Sequence, residues 1–348
     1  MATVVARVPE QRLLLLGFGN VGQWLARLLL RHGAALAREH GIAFRITGIA
    51  TGHHGVVCNP AGIDAHAALQ LAAAGAQLGA LPGVQSLADP AALLAAGACD
   101  VLFENSPQNA HSGQPALDYI RTALQAGMHA ITANKGPLVH GYAALKALAA
   151  AHKRRFLFES TVMDGTPIFS LARECLPLSR VTALRGVLNS TTNVILSQME
   201  QGATFSAGVQ YAQQLGVAET DPSADVDGWD AAIKVAAIAT VLMDQPITPA
   251  QMTVQGIRAI TPQQAQAARA AGTPLKLLCT AALVDGRLQA AVQPAPVSIT
   301  DPLAHLGGTS SGVTLTFDTM KEIYVAGVNH GPEQTAFGLL SDFVNALR

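Results

Sequence analysis

Charge is the first thing this sequence is short of: 13% of its 348 residues are Asp, Glu, Lys or Arg, against ~25% in typical soluble domains. So few charges cover a surface poorly, so subunit contacts are expected to hide part of it, most simply in a homodimer. The 22 Lys and Arg nearly balance the 23 Asp and Glu and form no basic stripe. That argues against nucleic acid, because phosphate binding needs clustered cations. No apolar run reaches the ~20 residues that cross a bilayer, and Leu13–Leu16 lacks the layout of a cleavable signal. The four cysteines, Cys58, Cys99, Cys175 and Cys279, show no CxxC spacing. Neither a zinc site nor a disulfide framework is indicated, and a reduced cytoplasmic protein is expected.

What is present is a chain that is 50% hydrophobic and long enough for two domains at about 150 residues each. Arg12–Leu16 reads as a buried strand running into Gly17-Phe18-Gly19-Asn20-Val21-Gly22, followed by an apolar-periodic helix to about Arg31, closed by Gly33. Strands are expected at Phe44–Ala50, Val101–Glu104 and His129–Thr132, with helices at Ala65–Ala80, Ala91–Ala96 and Ala116–Ala126 between them. The alternation predicts an α/β fold, a Rossmann-like doubly wound parallel sheet, up to about residue 140. Apolar strands return at Arg155–Phe158, Val181–Leu188, Leu277–Val284 and Leu315–Val325. Asp285-Gly286 marks a hairpin, so an α+β domain follows.

In Gly17-x-Gly19-x-x-Gly22 the first glycine permits the tight turn and the second lets backbone approach a pyrophosphate. The third allows close helix–strand packing. The second strand ends at Ala50-Thr51-Gly52-His53-His54, without the acid that holds the ribose of NAD. NADP is therefore tolerated, and NAD stays open. Thr132-Ala133-Asn134-Lys135-Gly136-Pro137 sits at the carboxyl end of a strand, where doubly wound folds bind ligands. A lysine there could polarise a carbonyl or pass it a proton; otherwise it is an exposed loop lysine.

The segment from Ala212 to Lys234 gathers Glu219, Asp221, Asp225 and Asp230 before an apolar helix. Asp230 and Lys234 are i,i+4 and share a helix face, a surface pair in the plain reading. The surrounding helix is almost wholly apolar, so Lys234 needs a partner and a reason for its position. A second lysine nearby would lower its pKa. Asn189-Ser190-Thr191-Thr192-Asn193 adds short polar side chains at a strand-to-helix junction, suited to capping or to holding a substrate carboxylate.

With these segments in order, the chain resembles the homoserine dehydrogenase family over nearly its whole length. The fixed positions from Ala212 to Lys234 carry the likeness, with the Gly17 loop, Ala133-Asn134-Lys135, Glu159-Ser160-Thr161-Val162-x-x-Gly165-x-Pro167 and the Asn189 segment. The resemblance implies reversible NAD(P)-dependent oxidation of homoserine to aspartate semialdehyde, a step of threonine and methionine biosynthesis. It implies a catalytic set of Lys135, Lys234 and Asp230, the two lysines handling the proton and orienting the oxygen. Substrate binding would fall to Glu219, Asp225, Thr192 and Asn189. Gly17, Gly19, Asn20, Val21, Gly22, Thr51, Ser106, Asn134, Lys135 and Thr335 would line NADP or NAD, with a lean to NADP. Glu159 and the backbone of Val162 and Asp164 correspond to a site for Na⁺ or K⁺.

The resemblance also divides the chain. Residues 1–140 with 316–348 would bind dinucleotide, the helix at Thr335-Ala336 returning to that domain, and 141–315 would bind substrate and dimerise. A length of 348 leaves no room for the regulatory ACT domain of longer members. Three departures stand out: Ser190 where the family usually has Gly, an altered 103–113 loop, and Asp164 in place of a small residue. The first two leave open a dehydrogenase for another amino-aldehyde or hydroxy acid, the third adds a carboxylate beside the cation loop, and a non-catalytic dinucleotide sensor is the alternative of another class.

Overall fold

The computed structural model describes residues 10–96 and 99–348, which fall into two units. One unit runs to Thr161 and takes up Pro332–Arg348; the other is Val162–Gly331.

The first unit contains β1 (Glu10–Leu16), α1 (Asn20–His40), β2 (Ala43–Thr51), β3 (Gly55–Cys58), α2 (Ala65–Ala73), β4 (Gln85–Leu87) and α3 (Pro90–Ala95). It continues through β5 (Val101–Glu104), α4 (Ala116–Gln125), β6 (His129–Thr132), α5 (Gly136–Ala151) and β7 (Phe156–Leu157). Its seven strands lie in the order β4-β3-β2-β1-β5-β6-β7. Strand β1 pairs in parallel with both β2 and β5, so the order reverses there. That reversal puts the loops after β1, β5 and β6 along one edge, where open α/β sheets bind ligands. The leucines of β1 serve both faces, because successive side chains alternate. Leu13 and Leu15 join Phe103, Leu25, Leu29 and, from the closing helix Pro332–Ala346, Leu339 and Phe343. Leu14 and Leu16 join Leu94, Leu102 and Met128 on the other face. Each such side chain contributes about 1.5–3 kcal/mol by leaving water. Phe343 meets Phe103 edge-on at 5.7 Å, which fixes the closing helix on this sheet.

Several sequence expectations change. Helix α1 passes through Gly33 and ends at Gly41, which takes the left-handed conformation at φ 64°. The Ala65–Ala80 helix stops at Ala73, with Gly75 left-handed just beyond. The sheet is not wholly parallel, since β3 folds back antiparallel against β2 and β4 pairs antiparallel with β3. The units divide at Thr161, not near 140, because α5 crosses over to β7, which pairs with β6. Residues 316–331 stay with the second unit, because they hold half of a hairpin.

The second unit comprises β8 (Val181–Val187), α6 (Ser190–Glu200), α7 (Phe205–Gln214), α8 (Ser223–Val226), α9 (Trp229–Leu242), β9 (Thr253–Val254) and α10 (Pro262–Ala270). Then come β10 (Leu275–Val284), β11 (Arg287–Pro296), β12 (Ser311–Phe317) and β13 (Lys321–Gly327). The sheet order is β13-β12-β8-β10-β11-β9. Asp285 and Gly286 both take positive φ between β10 and β11, the geometry of a two-residue hairpin. Helix α9 is apolar almost all round and buried from Ala231 to Ile233 and from Val235 to Thr240. Lys234 interrupts that run.

Candidate active site

On the first unit the glycine loop has the shape a dinucleotide requires. A Cβ on Gly17 would lie 2.2 Å from the Asn105 carbonyl oxygen, and one on Gly22 would lie 2.1 Å from that of Gly17. Both glycines are therefore demanded by packing within the fold. A Cβ on Gly19 would meet nothing within 4 Å among the described residues, so packing within the fold does not demand this glycine. Gly19 caps α1 without a side chain, and the first turn carries no acid. Its N–H groups and positive end are open to a phosphate, with Asn20 exposed and Val21 partly buried beside them. Buried polar atoms of Asn105 (Nδ2 and Oδ1) and Asn134 (Oδ1) have no hydrogen-bond partner among the described residues. Unsatisfied groups of this kind mark places where a ligand or water completes the bonding.

The neighbouring loops are tied together. Asn134 Nδ2 donates to the Ser106 carbonyl at 3.1 Å, and Lys135 Nζ donates to Gln108 Oε1 at 2.8 Å. Ser106 directs its N–H at 2.8 Å, and its hydroxyl, to Glu104. At the end of β2, Thr51 Oγ1 accepts the His53 N–H at 3.3 Å. His54 Nδ1 donates to the Ala76 carbonyl at 2.9 Å, which leaves His53 as the exposed imidazole. Thr335 lies in the closing helix, and its carbonyl accepts from Ser160 Oγ at 2.6 Å. Glu159 is buried, and its N–H donates to Asp342 at 2.7 Å. Among the described residues no group of three or more His, Cys, Asp or Glu could hold a metal ion.

On the second unit one hydrogen-bonded network joins most of the expected substrate residues. Asn189 caps α6, its Oδ1 accepting from the Thr192 N–H at 2.8 Å and the Thr192 hydroxyl at 2.9 Å. The other end of the same amide donates to Asp225 Oδ1 at 2.6 Å and to Asp230 Oδ2 at 3.1 Å. Capping, one of the two alternatives at the level of sequence, is thus made by the oxygen end of this side chain, while its nitrogen binds the chain's own Asp225 and Asp230. Asp230 pairs with Lys234 at 3.0 Å, and Lys234 Nζ also donates to the Leu188 carbonyl at 2.7 Å. The lysine side chain is 15% exposed, so this is no solvated surface pair.

The electrostatics depart from the expectation that a second lysine would lower the Lys234 pKa. Burial does pull the ammonium down, but Asp230, Asp164 and Asp225 more than offset it, and Lys234 is held above its ordinary value. The field of Asp164 is a surprise, because the resemblance gives that residue only a backbone role. Asp164 takes φ 50° in a turn before Gly165, and Val162 is buried just upstream. Burial and then the Asp230 charge push the Asp225 carboxyl up, against the bonds from Asn189 and Thr191. Behind them Cys279 is buried and its thiol is pushed up to about 12, mainly by burial, so it stays neutral.

Glu219 stands outside this network: its side chain is exposed, and its carbonyl accepts from Gln213. Ser190, the departure inside the turn, donates its hydroxyl to the Thr309 carbonyl at 3.2 Å. Asn193 braces the helix from behind, donating to the Gly308 carbonyl and accepting from the buried Lys276 at 3.0 Å. Sequence reasoning missed Glu104, Gln108 and Lys276, and placed the Asp164 carboxylate only beside the cation loop. Glu104 left a trace as a lone acid ending an apolar strand.

The comparisons with known proteins agree with this geometry. The family model for the homoserine dehydrogenase NAD-binding domain matches residues 17–159, and the homoserine dehydrogenase model matches 167–344. An NAD(+)-dependent homoserine dehydrogenase of Pseudomonas canavaninivorans is 36% identical, over 97% of this chain and 96% of the relative. The homoserine dehydrogenase of Methanocaldococcus jannaschii is 32% identical, over 96% of this chain and 97% of its own. A mutant homoserine dehydrogenase from a hyperthermophilic archaeon, solved in complex with NADPH, superposes with a TM-score of 0.82. It is 26% identical and the match covers 97% of this chain and 98% of that one. Two matching family models and relatives of this similarity along the whole chain make the conclusion plain: it belongs to the homoserine dehydrogenase family, nicotinamide-dinucleotide-dependent oxidoreductases that act on a hydroxyl group.

Proposed function

We propose that the chain catalyses the reversible NAD(P)-dependent oxidation of L-homoserine to L-aspartate 4-semialdehyde, with biosynthesis running the reduction. The observation that carries this reading is the network Thr192–Asn189–Asp225–Asp230–Lys234, which presents both signs of charge from a largely buried set of side chains. An amino-acid substrate needs such a pair, carboxylates for its ammonium and cations for its oxygens. Asp225, with Thr192, Asn189 and the exposed Glu219, binds the polar ends, and Asp230 holds the substrate beside Lys234. A bound nicotinamide supplies the hydride in reduction and takes it up in oxidation. As alkoxide character builds, the Lys135 and Lys234 ammonium groups stabilise it and one returns the proton, electrostatics being the larger contribution. In the oxidising direction a lysine must lose its proton first, so the rate rises with pH.

Ser190 spends its hydroxyl on the Thr309 carbonyl, which supports homoserine over a different hydroxy acid. The presence of both lysines and Asp230 speaks against a silent dinucleotide sensor. Gly17, Gly19, Asn20, Val21, Gly22, Thr51, Ser106, Asn134 and Thr335 form the dinucleotide site. The loop Thr51–His54 has no acid to repel a 2′-phosphate and exposes His53, which favours NADP, whereas the Pseudomonas relative is named for NAD(+). Glu159, with backbone oxygens of Val162 and Asp164, would offer a hard oxygen donor set suited to Na⁺ or K⁺. Exposed Leu178, Met320 and Tyr324 on the second unit support a homodimer, and the absence of CxxC spacing among the four cysteines fits a reduced, cytoplasmic setting. The test is an initial-rate measurement with homoserine and each dinucleotide, with and without Na⁺ or K⁺. Saturable dinucleotide binding without turnover of homoserine would refute the assignment.

A further inference from the structure

Glu104 ends β5 fully buried, and the reaction as described gives it nothing to do. A carboxyl group removed from water is costly unless its oxygens are bonded, so its place in an apolar strand requires a reason. Its partners supply one. Oε1 accepts the Ser106 N–H at 2.8 Å and the Ser106 hydroxyl, and Oε2 accepts the Thr132 hydroxyl at 2.7 Å. Thr132 Oγ1 in turn accepts the Asn134 N–H at 2.9 Å, and Asn134 Nδ2 donates to the Ser106 carbonyl at 3.1 Å. The bonds close a ring: Glu104, Thr132, Asn134, Ser106 and back to Glu104. Lys135 is the next residue, and its Nζ donates to Gln108 on the same loop after β5.

Three donors converge on the two Glu104 oxygens. A glutamine could not meet them all, because its amide nitrogen does not accept, and an aspartate is one methylene too short to span both partners. Beside the ring the two loops touch at backbone distance, since a Cβ on Gly136 would lie 2.5 Å from the Gly113 Cα. The main chain entering α5 is therefore held on both sides of Lys135. Burial pushes the Glu104 carboxyl up, and the bonds from Ser106 and Thr132 oppose that shift.

We propose that Glu104 is a positioning residue: through Thr132 and the Asn134 N–H it fixes the backbone from which Lys135 reaches the reacting oxygen. This rests on the reading of Lys135 as a group that handles the proton or orients the oxygen. Reactive geometry tolerates little displacement, and a shift of about 1 Å can cost on the order of 100-fold in rate.

The test compares Thr132→Val, which removes the hydroxyl and keeps the shape, with Thr132→Ser, which restores the hydroxyl, alongside Glu104→Gln and Lys135→Met. kcat and KM for homoserine are measured with the dissociation constant of the reduced dinucleotide, followed by its fluorescence. Thr132→Val and Glu104→Gln are expected to lower kcat by about 10- to 100-fold. Dinucleotide affinity, to which Ser106 and Asn134 of the same ring contribute, should fall by a smaller factor than kcat, and Thr132→Ser should restore kcat to within about threefold of wild type. If Glu104→Gln does not fold, the two Thr132 variants carry the test. Near-normal kcat in Thr132→Val, a fall in kcat no larger than the fall in dinucleotide affinity, or an equal loss of kcat in Thr132→Ser, would overturn the proposal. Lys135→Met separates the two ideas. Full turnover in Lys135→Met refutes the reading of Lys135 and the proposal with it, whereas an inactive Lys135→Met beside an active Thr132→Val refutes the role of Glu104 alone.

Discussion

Replacing Asn189 by Ser separates the two jobs that its amide performs. A serine still caps α6, because its short hydroxyl reaches the N–H groups of the first turn. It does not reach Asp225 and Asp230, which now receive bonds of 2.6 and 3.1 Å from Asn189 Nδ2. Hydrogen bonds to charged groups contribute about 1.5–3 kcal/mol each. Here both acceptors keep some access to water, and Asp230 retains Lys234 at 3.0 Å, so the total is discounted. A combined loss of about 2 kcal/mol follows. That corresponds to a Tm lower by about 4–8 °C and, through misplacement of the substrate-binding carboxylates, to a roughly 30-fold lower kcat/KM for homoserine. Asn189→Ala loses the cap as well, adding about 1 kcal/mol. Asn189→Asp keeps the cap but faces two carboxylates with a third, and is expected to be worse than Ser in activity. The assays are thermal unfolding and initial rates of dinucleotide reduction. An Asn189→Ser variant with a wild-type Tm and kcat/KM would refute the claim that this amide holds the carboxylates in place.

The glycine loop makes two opposite expectations. Gly19→Ala meets no atom of the fold, so Tm should hold while the dinucleotide dissociation constant rises at least about tenfold by titration, the close approach of backbone to phosphate being blocked. Gly17→Ala puts a Cβ against the Asn105 carbonyl at φ 97°, so unfolding should become easier by about 3 kcal/mol or more in urea. His129 gives a pH dependence. Burial, then the charges of Arg154 and Arg155, lowers its pKa to about 4, while its Nδ1 accepts the Arg155 N–H. Because the folded value is depressed, its contribution is full above the unfolded value near 6.5 and is lost as pH falls toward 4. Allowing for partial exposure this amounts to about 1–2 kcal/mol, and His129→Asn should reduce the difference between urea midpoints at pH 7 and pH 5.

What the sequence revealed was local. Gly17, Gly19 and Gly22 stand within one turn, Asp230 and Lys234 within one turn of helix, and Asp285-Gly286 within one hairpin. Each pattern carries its own geometry, so strand β6 and the β10–β11 hairpin are legible in the residues alone. The β3–β4 edge is not, because those strands are four and three residues long and the His53-His54 turn gives no hairpin signal. The network around Lys234 is half legible. Its residue types stand out, but Asn189 meets Asp225 across 36 positions. The field of Asp164 on Lys234 likewise joins segments far apart in sequence. Glu104 escapes for the same reason, since its bond to Thr132 spans 28 positions and depends on β5 and β6 being neighbours. Periodicity and turn chemistry reach a few residues, whereas a site assembled by sheet order is set by tertiary pairing.

The central claim is that Lys234, held protonated among Asp230, Asp164 and Asp225, takes part in the chemistry rather than in cofactor binding or folding. Its most direct test is the initial rate of homoserine-dependent dinucleotide reduction by Lys234→Met beside the wild-type protein, with dinucleotide affinity measured on the same samples. The account predicts a kcat lower by about 100-fold or more, the scale of removing a proton-transfer group, with the affinity nearly unchanged. Near-normal turnover, or a loss of rate that merely follows a loss of dinucleotide binding, would contradict it.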